Sequence, residues 1–238
     1  MISVILPTFN ERQNICPLIY SLCKELTDFN FEIIVVDDNS LDGTFKEAEK
    51  HFSGNDKVRL FLRTSEKGLA KSIRFGIEMS KGDFIAVMDT DFNHEPHIIP
   101  QMIYHIEHYD MVIGSRFASG GRMQDQKRYI CSFLFNILIR IAIRSQVQDN
   151  LSGFFVIRRD ALNELKFNIV FEGYGDYFFK LIYFVLQRKR LVLEIPVFYK
   201  NRSMGKSKTN FLKVLLQYTS SLLLFYFKNN CGRFAKKT

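Results

Sequence analysis

The chain has 238 residues, 47% hydrophobic and 14% aromatic, which suits one sizeable α/β domain and excludes an intrinsically disordered chain. The net charge of +8 is unevenly spread: residues 1–118 carry 12 basic and 18 acidic side chains, whereas residues 119–238 carry 21 and 7. The second half therefore favours anions such as phosphates, nucleic acid or an acidic lipid surface, while Cys16, Cys23, Cys131 and Cys231 lack both zinc-site spacing and the density of a disulfide scaffold.

The apolar start at residues 2–6 is too short for a signal-peptide core and runs into Pro7 and Glu11, so a cytoplasmic location is expected. Short β-branched runs predict strands at 3–6, 32–36, 58–62, 84–88 and 111–113. Helical patterns follow the first four, at about 12–26, 42–52, 69–80 and 96–108. This alternation predicts a mostly parallel central sheet built from βαβ units, in an α/β Rossmann-like domain. A long apolar stretch at 129–143, a helix near 176–186 and a strand at 191–195 continue the domain to about residue 210.

Residues 211–227 are apolar but broken by Lys213, Gln217 and Thr219-Ser-Ser221, short of the roughly 20 apolar residues that span a bilayer. An interfacial helix with a basic tail, residues 211–238, is expected instead. Arg140 and Arg144 beside the apolar residues of 129–143, with Lys228, Arg233, Lys236 and Lys237 after the tail, suit an anionic membrane surface. The same segments also fit helices that simply pack on the domain. Such a short tail leaves room for a membrane-anchoring partner protein.

Sheets of this kind bind ligands at the carboxyl ends of their strands, where the polar clusters of this sequence fall. Asp89-Thr90-Asp91 is the sharpest of them. Two carboxylates at a strand end concentrate negative charge that a divalent cation, Mg²⁺ or Mn²⁺, bridging to a diphosphate would neutralise. Residues i and i+2 of a strand point the same way, so both carboxylates could face one ion. Such a cation would also stabilise charge building on a departing diphosphate. Arg116, Arg128, Arg202 and Lys206 are candidate phosphate ligands. Asp38, in Asp37-Asp38-Asn39-Ser40, reads either as part of a turn or as a contact to a nucleotide's base or ribose. With neither GxGxxG nor a Walker loop, NAD and ATP sites are not supported.

In chain order, Val4-Ile-Leu-Pro-Thr-Phe-Asn-Glu11, Ile34-Val-Val-Asp-Asp-Asn-Ser40, Asp42-Gly43-Thr44, Lys67-Gly68-Leu69, Met88-Asp-Thr-Asp91 and Gly114-Ser-Arg116 resemble family 2 of the inverting glycosyltransferases. The resemblance implies the GT-A nucleotide-diphospho-sugar fold. Within it, Asp91-Phe-Asn-His-Glu-Pro96, Asp149-Asn-Leu-Ser-Gly-Phe154 and Arg202-Ser-Met-Gly-Lys-Ser-Lys208 are similar to segments of the dolichyl and polyprenyl phosphate sugar synthases. By that resemblance Pro7, Phe9, Glu11, Val36 and Asp38 would hold the nucleoside, and Asp89, Asp91 and Asn93 the metal and diphosphate. Arg116, Arg128, Arg202 and Lys206 would then bind phosphates of donor and acceptor, with Thr90, Asp149 and Ser152 as further substrate contacts. Thr90 stands for a usual Ala, Asn93 for Gln and Phe9 for Tyr.

The expected activity is transfer of mannose or glucose from a GDP- or UDP-hexose to a polyprenyl or dolichyl phosphate. The alternative acceptor is a sugar hydroxyl in polysaccharide or lipopolysaccharide assembly. A hydroxyl would need a carboxylate base, for which Asp149, Glu172 and Asp176 are candidates. A non-catalytic basic module that binds nucleic acid would leave the strand-end carboxylates unexplained, so no nucleic-acid partner is expected.

Overall fold

The computed structural model describes residues 1–201 and 211–234; Arg202 and Lys206 lie outside the described residues. Nine strands and nine helices are formed there, in the order β1 (Ile2–Thr8), α1 (Arg12–Glu25), β2 (Phe31–Asp37), α2 (Thr44–Phe52), β3 (Val58–Leu62), α3 (Leu69–Met79), β4 (Phe84–Val87), α4 (Ile98–Ile106), β5 (Met111–Ser115), β6 (Arg122–Met123), α5 (Gln126–Ile143), β7 (Phe155–Arg158), α6 (Arg159–Asn163), α7 (Phe167–Val170), α8 (Tyr177–Gln187), β8 (Val192–Pro196), β9 (Phe198–Tyr199) and α9 (Phe211–Phe234).

Seven strands form one sheet in the order β3-β2-β1-β4-β7-β5-β8, and β6 pairs with β9 in a small second sheet. Strands β1 and β2 are buried along all seven residues each, and their apolar stretches at 4–7 and 33–36 suit parallel strands covered on both faces. Side chains alternate between two cores. Val4 and Leu6 join α1, α2 and α4 on one face, while Ile5 joins α3, α6, α7 and α8 on the other.

The sequence does not single out β7 as a strand. It runs antiparallel to both β4 and β5, with Val87 opposite Phe155 and Ile113 opposite Phe155. That reversal has a direct structural effect. The loop at 149–154 enters β7 at the sheet edge where β4 and β5 end, so it joins the loops after β1, β2, β4 and β5.

Helix α9 lies against α5 and α8. Leu222 and Phe225 pack with Phe135, Ile139, Ile143 and Phe179, and Phe225 meets Phe179 edge to face at 5.8 Å. The other side of α9 exposes Leu216, Leu223, Leu224 and Phe227, and α5 exposes Ile130, Leu134, Leu138 and Ile141. Among the described residues no helix is long and apolar enough to cross a membrane.

Candidate active site

The loops after β1 and β2 are tied to each other. The Asn10 amide donates to Ser40 Oγ at 2.7 Å, the Leu41 amide to Asn10 Oδ1 at 3.0 Å, and the Glu11 amide to Thr44 Oγ1 at 2.8 Å. Asn10 and Asn39 both adopt left-handed backbone, which Asn tolerates better than most residues. Of the five residues expected at the nucleoside, only Phe9 has an exposed side chain, at 46%. Pro7 and Val36 are buried neighbours across β1 and β2, and Glu11 is buried with Oε2 accepting from Asn14 Nδ2 at 2.7 Å.

Asp37 is the turn former. Its carboxylate accepts from the Ser40 amide and hydroxyl, and burial raises its pKa despite those bonds. Asp38 is engaged differently: Oδ1 receives Arg63 Nη1 at 3.0 Å, and Oδ2 receives the Gly68 amide at 2.7 Å. Arg63 also donates to Ser72 Oγ at 2.7 Å, so Asp38 organises the segment leading into α3. Arg63 was not singled out from the sequence, because a lone Arg just past a strand carries no local sign of its partner.

The strand β4 stops at Val87, so Asp89 and Asp91 lie beyond it and the expected alternation along a strand does not apply to them. A tight bend replaces it. Asp91 Oδ1 accepts from the Asn93 amide at 3.1 Å and Oδ2 from Asn93 Nδ2 at 2.8 Å, while Phe92 between them has a φ of 63°. Thr90 and Asp91 are buried, whereas the Asp89 side chain is 48% exposed. Among the described residues no three His, Cys, Asp or Glu side chains gather into a metal cage. Two carboxylates and the Asn93 amide oxygen are nevertheless the partial all-oxygen set that Mg²⁺ or Mn²⁺ takes when diphosphate oxygens and water complete the shell. The residues present fit such an ion.

Behind this bend sits His94, fully buried and stacked on Phe154 with ring centroids 4.7 Å apart and planes 8° apart. Its Nδ1 accepts the Asp89 amide at 2.9 Å. Burial pushes its pKa down to about 4, so the ring is neutral at physiological pH.

Arg116 follows β5, and its guanidinium is committed. Nε and the backbone amide donate to Asp149 Oδ2 at 2.8 and 3.0 Å, and Nη2 donates to Oδ1 at 2.7 Å. Burial opposes the charge, yet Asp149 raises the Arg116 pKa above its usual value. The guanidinium also lies over the Tyr199 ring at 4.9 Å. Ser152 is buried, donating to Gly114 O at 2.5 Å and sharing a 2.8 Å hydrogen bond with the Tyr199 hydroxyl. Arg128 stands exposed in the first turn of α5, whose N-cap Asp125 receives the Arg128 amide at 3.0 Å.

Asp176 is also locked in place. Its carboxylate receives Lys180 Nζ at 2.6 Å, Ser221 Oγ at 2.7 Å and the Tyr174 amide at 2.7 Å. Ser221 belongs to α9, as does Tyr218, whose hydroxyl lies so near Gly175 that a Cβ there would sit 1.8 Å from it. Burial, then the charges of Tyr174, Asp176 and Asp89, raise the Tyr218 pKa. Glu172 is exposed.

The architecture agrees with glucosyl-3-phosphoglycerate synthase from Mycobacterium tuberculosis, crystallised with Mn²⁺, uridine diphosphate and phosphoglyceric acid, at a TM-score of 0.72 and 21% identity over 95% of this chain and 78% of that one. This likeness establishes the α/β GT-A fold. In sequence, the chain is 34% identical to a dolichol-phosphate mannosyltransferase of Pyrococcus furiosus over 87% of its own length, and it spans 58% of that relative. It is 31% identical to the Saccharomyces cerevisiae dolichol-phosphate mannosyltransferase over 94% of this chain and 86% of the yeast protein. The family model described as glycosyl transferase family 2 matches residues 3–166, from β1 to beyond α6. With the strand-end carboxylates, the reversed β7 and these similarities in agreement, the chain belongs to glycosyltransferase family 2.

Proposed function

We propose that the chain moves a hexose, with inversion, from a nucleotide diphosphate sugar to the phosphate of a polyprenyl or dolichyl lipid at a membrane surface. The observation that carries the choice of acceptor is the condition of the carboxylates. A hydroxyl acceptor needs a base within hydrogen-bond reach. Asp149 and Asp176, two of the three candidates, are each held in a buried ion pair, with Arg116 and Lys180. A lipid phosphate monoester is already ionised at neutral pH and requires only positioning and charge neutralisation.

The names of the Pyrococcus and yeast relatives favour the same acceptor. In this reading Asp89, Asp91 and Asn93 hold Mg²⁺ or Mn²⁺ with the donor's diphosphate. The ion, when bound, supplies Lewis-acid stabilisation of the leaving group. Exposed Arg128 meets the acceptor phosphate. Arg116, spent on Asp149, shapes the 149–154 loop instead of clamping phosphate. The exposed apolar residues of α5 and α9, flanked by Arg144 and Lys228, rest on the lipid surface.

The test is transfer of labelled sugar from GDP-mannose and from UDP-glucose, with Mn²⁺ or Mg²⁺, with and without polyprenyl phosphate in vesicles. Metal-dependent labelling of the lipid, abolished by Asp91→Asn, is expected. Metal-dependent donor binding without lipid labelling would overturn the acceptor and redirect the search to glycan hydroxyls.

A further inference from the structure

We propose that His94 is a positioning residue for Asp89, a two-point template that holds the backbone through one ring nitrogen and the carboxylate through the other. The inference rests on the reading that Asp89 handles the metal and diphosphate.

The chain doubles back between Asp89 and His94 through the Asp91–Asn93 contacts and the left-handed Phe92, which brings the ring beneath the residue five positions before it. A backbone amide can only donate, so the 2.9 Å bond from the Asp89 N–H requires Nδ1 to be an unprotonated acceptor. In the neutral ring the proton is then on Nε2. That atom is buried without a hydrogen-bond partner, and Asp89 Oδ2 lies 3.8 Å from it. Closing the gap to an ordinary hydrogen bond takes a carboxylate movement of about 1 Å. A side chain that is 48% exposed has room to make it.

The ring itself cannot swing away. Phe154 covers one face in parallel stacking, and Tyr199 packs against it at 4.7 Å and 59°. Tyr199 is in turn pinned by its hydroxyl, which lies within hydrogen-bond distance of both Ser152 O, at 2.9 Å, and Ser152 Oγ, at 2.8 Å. When the Asp89 carboxylate is drawn toward Nε2–H, one oxygen is fixed and the other is left to face the donor. The loop at 149–154 thereby sets the geometry of a carboxylate on a different strand end.

The test compares His94→Phe, which keeps the stack and deletes both nitrogens, with His94→Asn, whose Oδ1 replaces the Nδ1 acceptor. Binding of Mn²⁺ with UDP and with GDP is read by electron paramagnetic resonance, without turnover. We expect His94→Phe to weaken Mn²⁺–nucleotide binding at least tenfold and His94→Asn, which restores only the hold on the backbone, to recover part of the loss. Equal affinity of His94→Phe and the native protein, or no recovery in His94→Asn, would overturn the proposal. Long-range ¹H–¹⁵N correlation on the native protein decides the matter if a variant does not fold: a proton on Nε2 alone is required, and a proton on Nδ1 sinks the template. Failure of the native protein to bind any Mn²⁺–nucleotide would instead refute the reading of Asp89 on which the template rests.

Discussion

Replacing Asp149 by Asn isolates the electrostatic keystone of the acceptor-side loop. The substitution keeps the side-chain volume, so no cavity opens, but it leaves the Arg116 guanidinium buried without a counter-charge. The two side chains are 9% and 0% exposed, which removes solvent screening as a mitigating factor. Three N–H groups of Arg116 converge on two carboxylate oxygens, and an amide offers one oxygen in their place. Breaking a buried pair by removing one partner costs about 3–5 kcal/mol. For a chain of this size that corresponds to a fall in Tm of roughly 6–20 °C. Guanidinium unfolding followed by circular dichroism would measure it as a drop in the midpoint at constant slope. A loss below about 1 kcal/mol would refute the view that this pair is tightly coupled and dry. The double replacement Arg116→Met with Asp149→Leu provides the counterpart: it removes both charges together and should recover most of the lost stability.

Three further outcomes are expected. His94 has a folded pKa of about 4 against an ordinary 6.5, so the unfolded chain binds the extra proton between these values. Stability of the metal-free protein should be fully present above about pH 6.5 and fall by about 3 kcal/mol as pH drops to about 4, with His94→Phe flattening that slope. Gly175→Ala would drive a methyl group into the Tyr218 hydroxyl, at a cost of about 1–3 kcal/mol, and hydrogen exchange should quicken in α9 before the central sheet is affected. Leu134→Ser with Leu224→Ser, at positions 57% and 72% exposed, should leave the free energy of unfolding within about 0.5 kcal/mol of the native value while weakening sedimentation with anionic vesicles. Unchanged sedimentation would remove these faces as a membrane contact.

Legibility in the sequence followed the range of the interactions. Strands β1 and β2 were readable because burial on both faces demands apolar runs, and the structure only extends them, to Ile2–Thr8 and Phe31–Asp37. The helix after β3 was bounded to within a residue, at Leu69–Met79, by Gly68 before it and the break after Met79. Strand β7 escaped because four apolar residues after Gly153 look alike whether they enter a strand or a buried helix, and nothing local records that they reverse direction. The same limit applied at the site. Asp89, Asp91 and Asn93 announce themselves within five residues, whereas the pairing of Arg116 with Asp149 spans 33 positions and that of Arg63 with Asp38 spans 25. His94 had a signal, its place in the Asp91–Pro96 segment, but its hold on Asp89 depends on a bend that spacing does not specify. Tyr199 and Tyr218 had none, since their roles come from packing against distant rings and Gly175.

The reversed strand also governs how the chain must be born. Strands β3, β2, β1 and β4 are complete once residue 87 has been made, and they can pair at once. The inner edge of β4 stays uncovered until β7 begins at residue 155, about 70 residues later. At ordinary translation rates that interval lasts roughly 4–14 s. During it the nascent sheet offers an open row of amides and carbonyls beside Ile85 and Val87 to any extended chain nearby. Slowing synthesis between those two strands should therefore lower the yield of folded protein even though no residue is changed.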